Sequence, residues 1–189
     1  MKRFLTLTVI LLFAFAGQAS AQKVAVKTNA LYWMTTTPNI GMEFALADRW
    51  TFELSGGYNP WTFDSESNVK AKHFLVTPEF RYWFCESFNG HFIGLNANYT
   101  MFNLSGVGNF IDDLQNSRIQ GWAAGGGLTY GYAWPISRRW NMEFTLGLGV
   151  WYTEYDKFES RPCGLFQDSI SKYVFGPTDL GLSFIYMIK

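Results

Sequence analysis

The chain has 189 residues, 48% of them hydrophobic, 19% aromatic and only 16% charged, with a formal net charge of zero. An average soluble domain carries about a quarter charged residues, and a disordered chain or a basic nucleic-acid binder would carry far more charge than this one does. The length allows one core, not two.

The first predicted element is a leader. Lys2 and Arg3 precede an apolar run over 4–16, followed by Gly17 and the small-residue site Ala19-Ser20-Ala21. That is the layout of a secretory signal peptide, and the run is too short for a membrane-spanning helix. Residues 1–21 are therefore expected to be a cleaved signal peptide and 22–189 a single exported domain. No later stretch is long and apolar enough for a spanning helix.

From there the dominant pattern has period two, the signature of half-buried strands. It predicts strands over 24–33, 39–46, 50–59, 72–84, 92–102, 121–134, 140–153 and 178–188. In 50–59 one phase reads Trp50, Phe52, Leu54, Gly56, Tyr58, and the other Thr51, Glu53, Ser55, Gly57, Asn59. The stretch from Trp140 splits the same way. Each strand has an apolar face edged by aromatics and a face of Gly, Thr, Asn and occasional charge. Short connectors at 48–49, 86–90 and 135–139 alternate with long ones at 60–71, 103–120 and 154–175. Only the connector at 34–37 breaks the rule. Pro78 and Pro177 each remove a ladder donor, which predicts bulges or local strand ends. Arg49-Trp50-Thr51-Phe52-Glu53 and Arg139-Trp140-Asn141-Met142-Glu143 form a weak repeat, each just after a short turn.

These features predict an all-β fold, an eight-stranded antiparallel up-and-down transmembrane β-barrel. Alternating short and long connectors and strands of alternating polarity are the marks of outer-membrane barrels. The small polar phase then fills the lumen, which is too narrow for a porin-like channel. Lys27, Glu43, Glu53, Glu79, Arg81, Glu143 and Asp179 are expected to form an inward polar network, structural in role, because unpaired charge there is costly. Two bases face five acids, so proton sharing, water or His73 is expected to complete the balance. Trp50, Tyr58, Trp134, Trp140 and Tyr152 are expected to form interfacial aromatic girdles.

Several segments resemble a domain family of unknown function from Bacteroidetes. They are Ala25-Val26-Lys27-Thr28-Asn29, Thr35 through Glu43, Tyr58-Asn59-Pro60-Trp61 and Pro78-Glu79-Phe80-Arg81-Tyr82-Trp83. Cys85 through Phe92, Gly121-Trp122, Tyr130-Gly131-Tyr132 and Phe175-Gly176-Pro177-Thr178 extend the match. The resemblance implies a small outer-membrane β-barrel and, through members encoded near fimbrial assembly genes, a fimbrial or other surface partner. It implies no assigned activity. The C-terminus departs from the terminal aromatic common in such barrels, since Met187, Ile188 and Lys189 follow Tyr186.

Cys85 and Cys163 are expected on opposite sides of the membrane and so unbridged. His73 and His91 lack neighbours at metal-ligand spacing. Gly125-Gly126-Gly127 is followed by a strand, not a helix N-terminus, so it is not a phosphate loop. No catalytic residue, cofactor or metal is assigned. Apolar Phe110, Ile111 and Leu114 beside Asp112 and Asp113 suggest a short helical turn on the 103–120 loop. Asp168-Ser169-Ile170 matches a three-residue O-glycosylation pattern, which makes Ser169 a candidate for modification.

The expected function is a non-enzymatic envelope-structural or surface-interaction role in the outer membrane, with lipid and a surface or fimbrial protein as partners and the oligomeric state open. A membrane-embedded lipid-modifying enzyme using His73 or a loop Ser is one alternative. A soluble lipocalin-like barrel, its apolar phase turned inward around a ligand, is the other.

Overall fold

The computed structural model describes residues 23–64, 68–106, 117–159 and 164–188. The leader, the apolar cluster at 110–114 and Cys163 lie outside the described residues. The strands are β1 (Val24–Asn29), β2 (Asn39–Ala47), β3 (Trp50–Asn59), β4 (Thr62–Asp64), β5 (Val69–Trp83), β6 (Gly90–Ser105), β7 (Ser117–Pro135), β8 (Trp140–Glu159) and β9 (Phe166–Met187). One five-residue helix, α1 (Ala30–Met34), follows β1. The protein is all-β.

The strands form one antiparallel sheet in the order β3-β2-β1-β9-β8-β7-β6-β5-β4, closed into a ring by pairing of β3 with β5 from Trp50↔Tyr82 to Asn59↔His73. Closure removes the free edges that an open sheet would present. The ninth strand, beyond the eight expected, is the short β4, which among the described residues pairs with β5 alone.

Several boundaries differ from the sequence expectation. The strand expected over 24–33 ends at Asn29, whose side chain accepts a hydrogen bond from Leu31 N–H and caps α1. The long connectors are much shorter than expected, because β8 runs on to Glu159, β9 starts at Phe166 and β7 starts at Ser117. Ser169 accordingly lies on a strand, paired with Asp156, rather than in a loop. The two prolines behave differently. At Pro177 the β8–β9 register shifts, so Thr178 is the extra residue of a bulge and faces inward beside Asp179. At Pro78 the β5–β6 register is the same on both sides, so the missing donor causes no shift.

The ring is inverted relative to a soluble protein. Its buried side chains are mostly polar, among them Lys27, Glu43, Glu53, Arg81, Asn96 and Glu143. Its outer face carries large exposed apolar residues on every long strand, such as Leu54, Phe80, Leu95, Leu128, Leu146 and Leu180. Aromatic contacts border that face at two levels. Near the short turns run Trp50–Tyr82, Tyr132–Trp134 and Trp140–Tyr186, with centroids 5.0, 4.8 and 5.1 Å apart. Near the long-loop end run Tyr99–Trp122, Trp122–Tyr152 and Tyr152–Tyr173, at 6.2, 5.6 and 5.1 Å. Of the five girdle residues expected, Trp50, Tyr58, Trp134 and Trp140 are exposed and Tyr152 is half-buried.

Candidate functional site

The interior is layered. At the short-turn end lies an apolar floor of Trp83, Phe92 and Ala133, with Phe88, Ala25 and Ile185 beside it. Phe88 holds a left-handed backbone, φ 68°, in the turn between β5 and β6. That conformation is costly for a residue with a bulky side chain, and burial of the ring against Trp83 at 6.0 Å offsets it. Asn141 Nδ2 donates to the Phe88 carbonyl at 2.9 Å and pins the turn from β8. Gly131, opposite Phe92, leaves the space that this ring fills. The interior is therefore not plugged by polar groups alone, as the sequence reading had it.

Above the floor sits an ion-pair cluster. β2, β3 and β5 place Glu43, Glu53 and Glu79 side by side in register. Three like charges in adjacent cross-strand positions repel one another. Lys27 from β1 and Arg81 from β5 bind them together, and Glu143 reaches in from β8. Lys27 Nζ lies 2.8 Å from Glu53, 2.5 Å from Glu143 and 3.8 Å from Glu43. Arg81 donates from Nε to Glu79 at 3.0 Å and from Nη1 to Glu43 and Glu143 at 3.1 Å, while Nη2 pairs with Glu53. Below, the guanidinium carbon stands 4.5 Å over the Phe92 ring. Thr51 Oγ1 donates to Glu43 at 2.6 Å and accepts from Trp83 Nε1 at 3.0 Å, which joins cluster to floor.

Six of the seven predicted charges thus meet in one cluster. Asp179 stands apart, hydrogen-bonded to Thr145 and lining a 40 Å³ cavity with Lys27, Glu53, Arg81 and Tyr32. That space admits a few waters at most. His73 does not join the charge balance. It lies at the rim, Nε2 3.2 Å from Thr37 Oγ1 and Nδ1 3.0 Å from the Ala71 carbonyl. Its partners are not the Ser and acid that the enzyme reading requires. Every nitrogen of Lys27 and Arg81 is engaged by carboxylate.

A neutral layer follows, which the sequence reading did not single out. Asn96 Nδ2 donates to Thr129 Oγ1 (2.7 Å) and Thr178 Oγ1 (3.1 Å), Asn98 Nδ2 to Asn96 Oδ1 (3.0 Å), and Thr77 Oγ1 to Asn98 Oδ1 (2.6 Å). At the rim, buried Asn59 donates to Thr35 O, Thr36 Oγ1 and Thr37 Oγ1, and Trp61 Nε1 donates to Thr36 O at 2.9 Å. Tyr32 of α1 covers the cavity below. Burial, then the carboxylates of Asp179 and Glu53, push its hydroxyl up to about 12. Cys85 is free and exposed in the β5–β6 turn. Exposed His91 belongs to the outer aromatic border, 2.6 Å from Tyr130 Oη.

The family model described as Protein of unknown function (DUF3575) matches residues 7–188. No curated protein matches the chain.

Proposed function

We propose that this chain, which belongs to the DUF3575 family of proteins of unknown function, is an eight-stranded up-and-down β-barrel of the bacterial outer membrane with a non-enzymatic role in the envelope. The ring of eight strands is the barrel, and β4 is an extension of the β3–β5 hairpin. The carrying observation is the inverted side-chain distribution: an apolar outer face between two aromatic borders, around a charged and hydrogen-bonded interior. Monomeric soluble proteins rarely expose contiguous apolar patches above a few hundred Å². A ligand-binding soluble barrel would need the opposite facing.

Dimensions support the reading. Along β8, Trp140 and Tyr152 are separated by roughly 40 Å of strand, about 30 Å after a tilt near 40°, against an apolar band of about 25 Å. Phe144, Leu146, Leu148 and Val150 face outward between them. The leader at 1–21 supplies the export route. The filled interior argues against a solute channel, so the role is assigned to the envelope structure itself or to contacts made by the hairpins at the long-loop end.

The test is gel mobility of the sedimented membrane fraction in SDS, unheated against boiled. A heat-dependent shift is expected. Protein in the soluble periplasm with no shift would overturn the proposal. Lipid profiles of cells carrying His73→Ala are expected to match wild type; an altered profile would restore the enzyme alternative.

A further inference from the structure

Ring closure does not extend to the upper end of β9. β1 stops at Asn29 opposite Ser183, so from Phe166 to Leu182 β9 pairs with β8 alone among the described residues. Two hydrogen bonds fix the direction of its remaining backbone groups. Leu180 O accepts from Asn29 Nδ2 and Leu182 N–H donates to Asn29 Oδ1, so even-numbered residues there turn N–H and C=O away from β8. The bulge at Thr178 reverses that phase. Above it, Ser169, Ser171, Tyr173, Phe175 and Pro177 carry the groups that β8 does not use. Both ends of this row are closed. Ser169 N–H donates to Asp168 Oδ1 at 2.8 Å, while Pro177 has no N–H and its C=O accepts from Trp151 Nε1 at 2.9 Å. Between them the N–H and C=O of Ser171, Tyr173 and Phe175 have no partner among the described residues. Tyr173 is 77% and Phe175 73% exposed.

The connectors outside the described residues are too short to cover this edge. Residues 107–116, tied at Gly106 and Ser117, extend out and back over at most about 20 Å. Tyr173 pairs with Tyr152, and Tyr152 with Ala124, which sets it roughly 24 Å along the strands from Ser117, two strands to the side. The connectors at 65–67 and 160–163 are shorter still. A second copy in the same bilayer fits no better. It is related by an axis along the membrane normal, and strands tilted near 40° would then cross at about 80°, far from any ladder. Water is a poor substitute at this depth. Tyr173 belongs to the upper aromatic border, and Phe175, opposite Val150, faces the apolar belt beneath it. Backbone groups left open there are costly, which is why closed barrels cross membranes.

We infer that the β9 edge from Ser171 to Phe175 is a docking site for an extended segment of another protein, which adds as a strand beside β9. The inference rests on the membrane-barrel reading, which sets the depth of this edge. Main-chain hydrogen bonds hold the added strand, and its alternate side chains lie beside Tyr173 and Phe175 on the outward face, where apolar residues fit. The closed ends at Asp168 and Pro177 fix the length and register of the docked segment.

The experiment uses the full mature chain folded in neutral detergent, with heat-shifted gel mobility as the check of folding. Failure to obtain that shift in wild type overturns the barrel reading and this site with it. A shifted wild type leaves the barrel standing while the edge alone is at stake. The probe is an octapeptide alternating valine and threonine between terminal lysines, and the readout is amide hydrogen exchange resolved by NMR. Without peptide, the Tyr173 and Phe175 amides are expected to exchange at least about tenfold faster than those of Lys172 and Val174, which face β8. Peptide is expected to slow the first pair by at least about tenfold. The same peptide N-methylated along the edge that meets β9 is expected to give no protection. Tyr173→Pro removes a donor that the β8 ladder does not use and is expected to abolish protection at Phe175, whereas Tyr173→Ala keeps both donor and protection. Should Tyr173→Pro fail to fold, the methylated peptide on wild type decides. Amides already slow without peptide would mean that the chain covers its own edge, and slow only at high protein concentration that a second copy does; either overturns the inference. Absence of protection by the peptide, equal protection by its methylated form, or equal loss in folded Tyr173→Pro and Tyr173→Ala overturns it too.

Discussion

Arg81 Nη1 lies 3.1 Å from both carboxylate oxygens of Glu143, although the two residues stand three strands apart in the ring. Ladder hydrogen bonds hold each strand only to its neighbours. Nothing in a closed sheet by itself stops the ring from flattening. Arg81 with Glu143, and Lys27 with the same carboxylate, tie β5 and β1 to β8 across the interior. The cluster therefore sets the cross-section as well as satisfying its own charge.

Removing Arg81 leaves Glu43, Glu53, Glu79 and Glu143 with Lys27 alone. Breaking a buried ion pair from one side costs about 3–5 kcal/mol, and Arg81→Met is expected to lose at least that. Glu143→Gln also cuts the tie but removes one of four mutually repelling carboxylates, so its loss is expected to be smaller. Urea unfolding followed by tryptophan fluorescence ranks the two. The reverse order would mean that like-charge repulsion in the β2–β3–β5 row is not what Arg81 offsets.

The floor gives a second expectation. A Cβ at Gly131 meets the Phe92 ring and comes within 2.9 Å of the Phe144 carbonyl. Overfilling a packed interior costs about 1–3 kcal/mol, so Gly131→Ala is expected to be destabilising. Phe92→Leu in the same chain should recover part of that loss and leave the part due to the carbonyl. A double-mutant cycle measures the coupling. Strictly additive losses would show that the ring and the glycine do not share that space.

How much of this was legible in the sequence follows from where the two faces meet different surroundings. Over 50–59 and 140–153 one face is apolar and the other is not, and the period-two pattern assigns every inward residue correctly. The Arg-Trp-x-apolar-Glu repeat went further, because it delivers Glu53 and Glu143 to the same two cations from different walls. Beyond Thr153 and before Thr178 the contrast fades. Lys157, Asp168 and Lys172 stand among aromatics, so strands there read as loop. The bulge at Thr178 also reverses the phase of β9, which no alternation count detects. α1 was hidden because Tyr32 continues the alternation of β1 by coincidence. Trp83 and Phe92 were readable, since they share the phases of Arg81 and Asn96, but an apolar floor beneath a charged layer is not implied by periodicity. The quoted segments 35–43 and 58–61 meet at the rim through Asn59, a contact that requires the fold to be seen.

Tyr32 carries the pH expectation. Its hydroxyl stands at about 12, against an ordinary 10.0. The fold favours the neutral phenol, so this contribution to stability is fully present below pH 10 and is lost as pH rises through about 12. Absorbance of wild type minus Tyr32→Phe at 295 nm isolates the one phenolate. Its rise is expected near pH 12. A rise near 10 would place the ring in bulk water rather than over the cavity.

The outer face supplies the expectation that separates the membrane from the soluble reading most directly. Leu128 is 70% exposed and lies in register with Leu95 on one side and Leu148 on the other, midway between the aromatic borders. In water, Leu128→Arg replaces an exposed leucine by a solvated cation and should change stability by less than about 0.5 kcal/mol. In a bilayer the same change puts a charge on the lipid face near the midplane, at a cost of about 2–4 kcal/mol. Arg at Ile136, beyond the lower aromatic border in the β7–β8 turn, should cost close to nothing in either medium. Folding the three proteins into vesicles and titrating with urea is expected to give a large loss at 128 alone. Equal stability for all three would mean that the apolar belt does not face lipid, and the side-chain inversion would then need a protein partner to cover it.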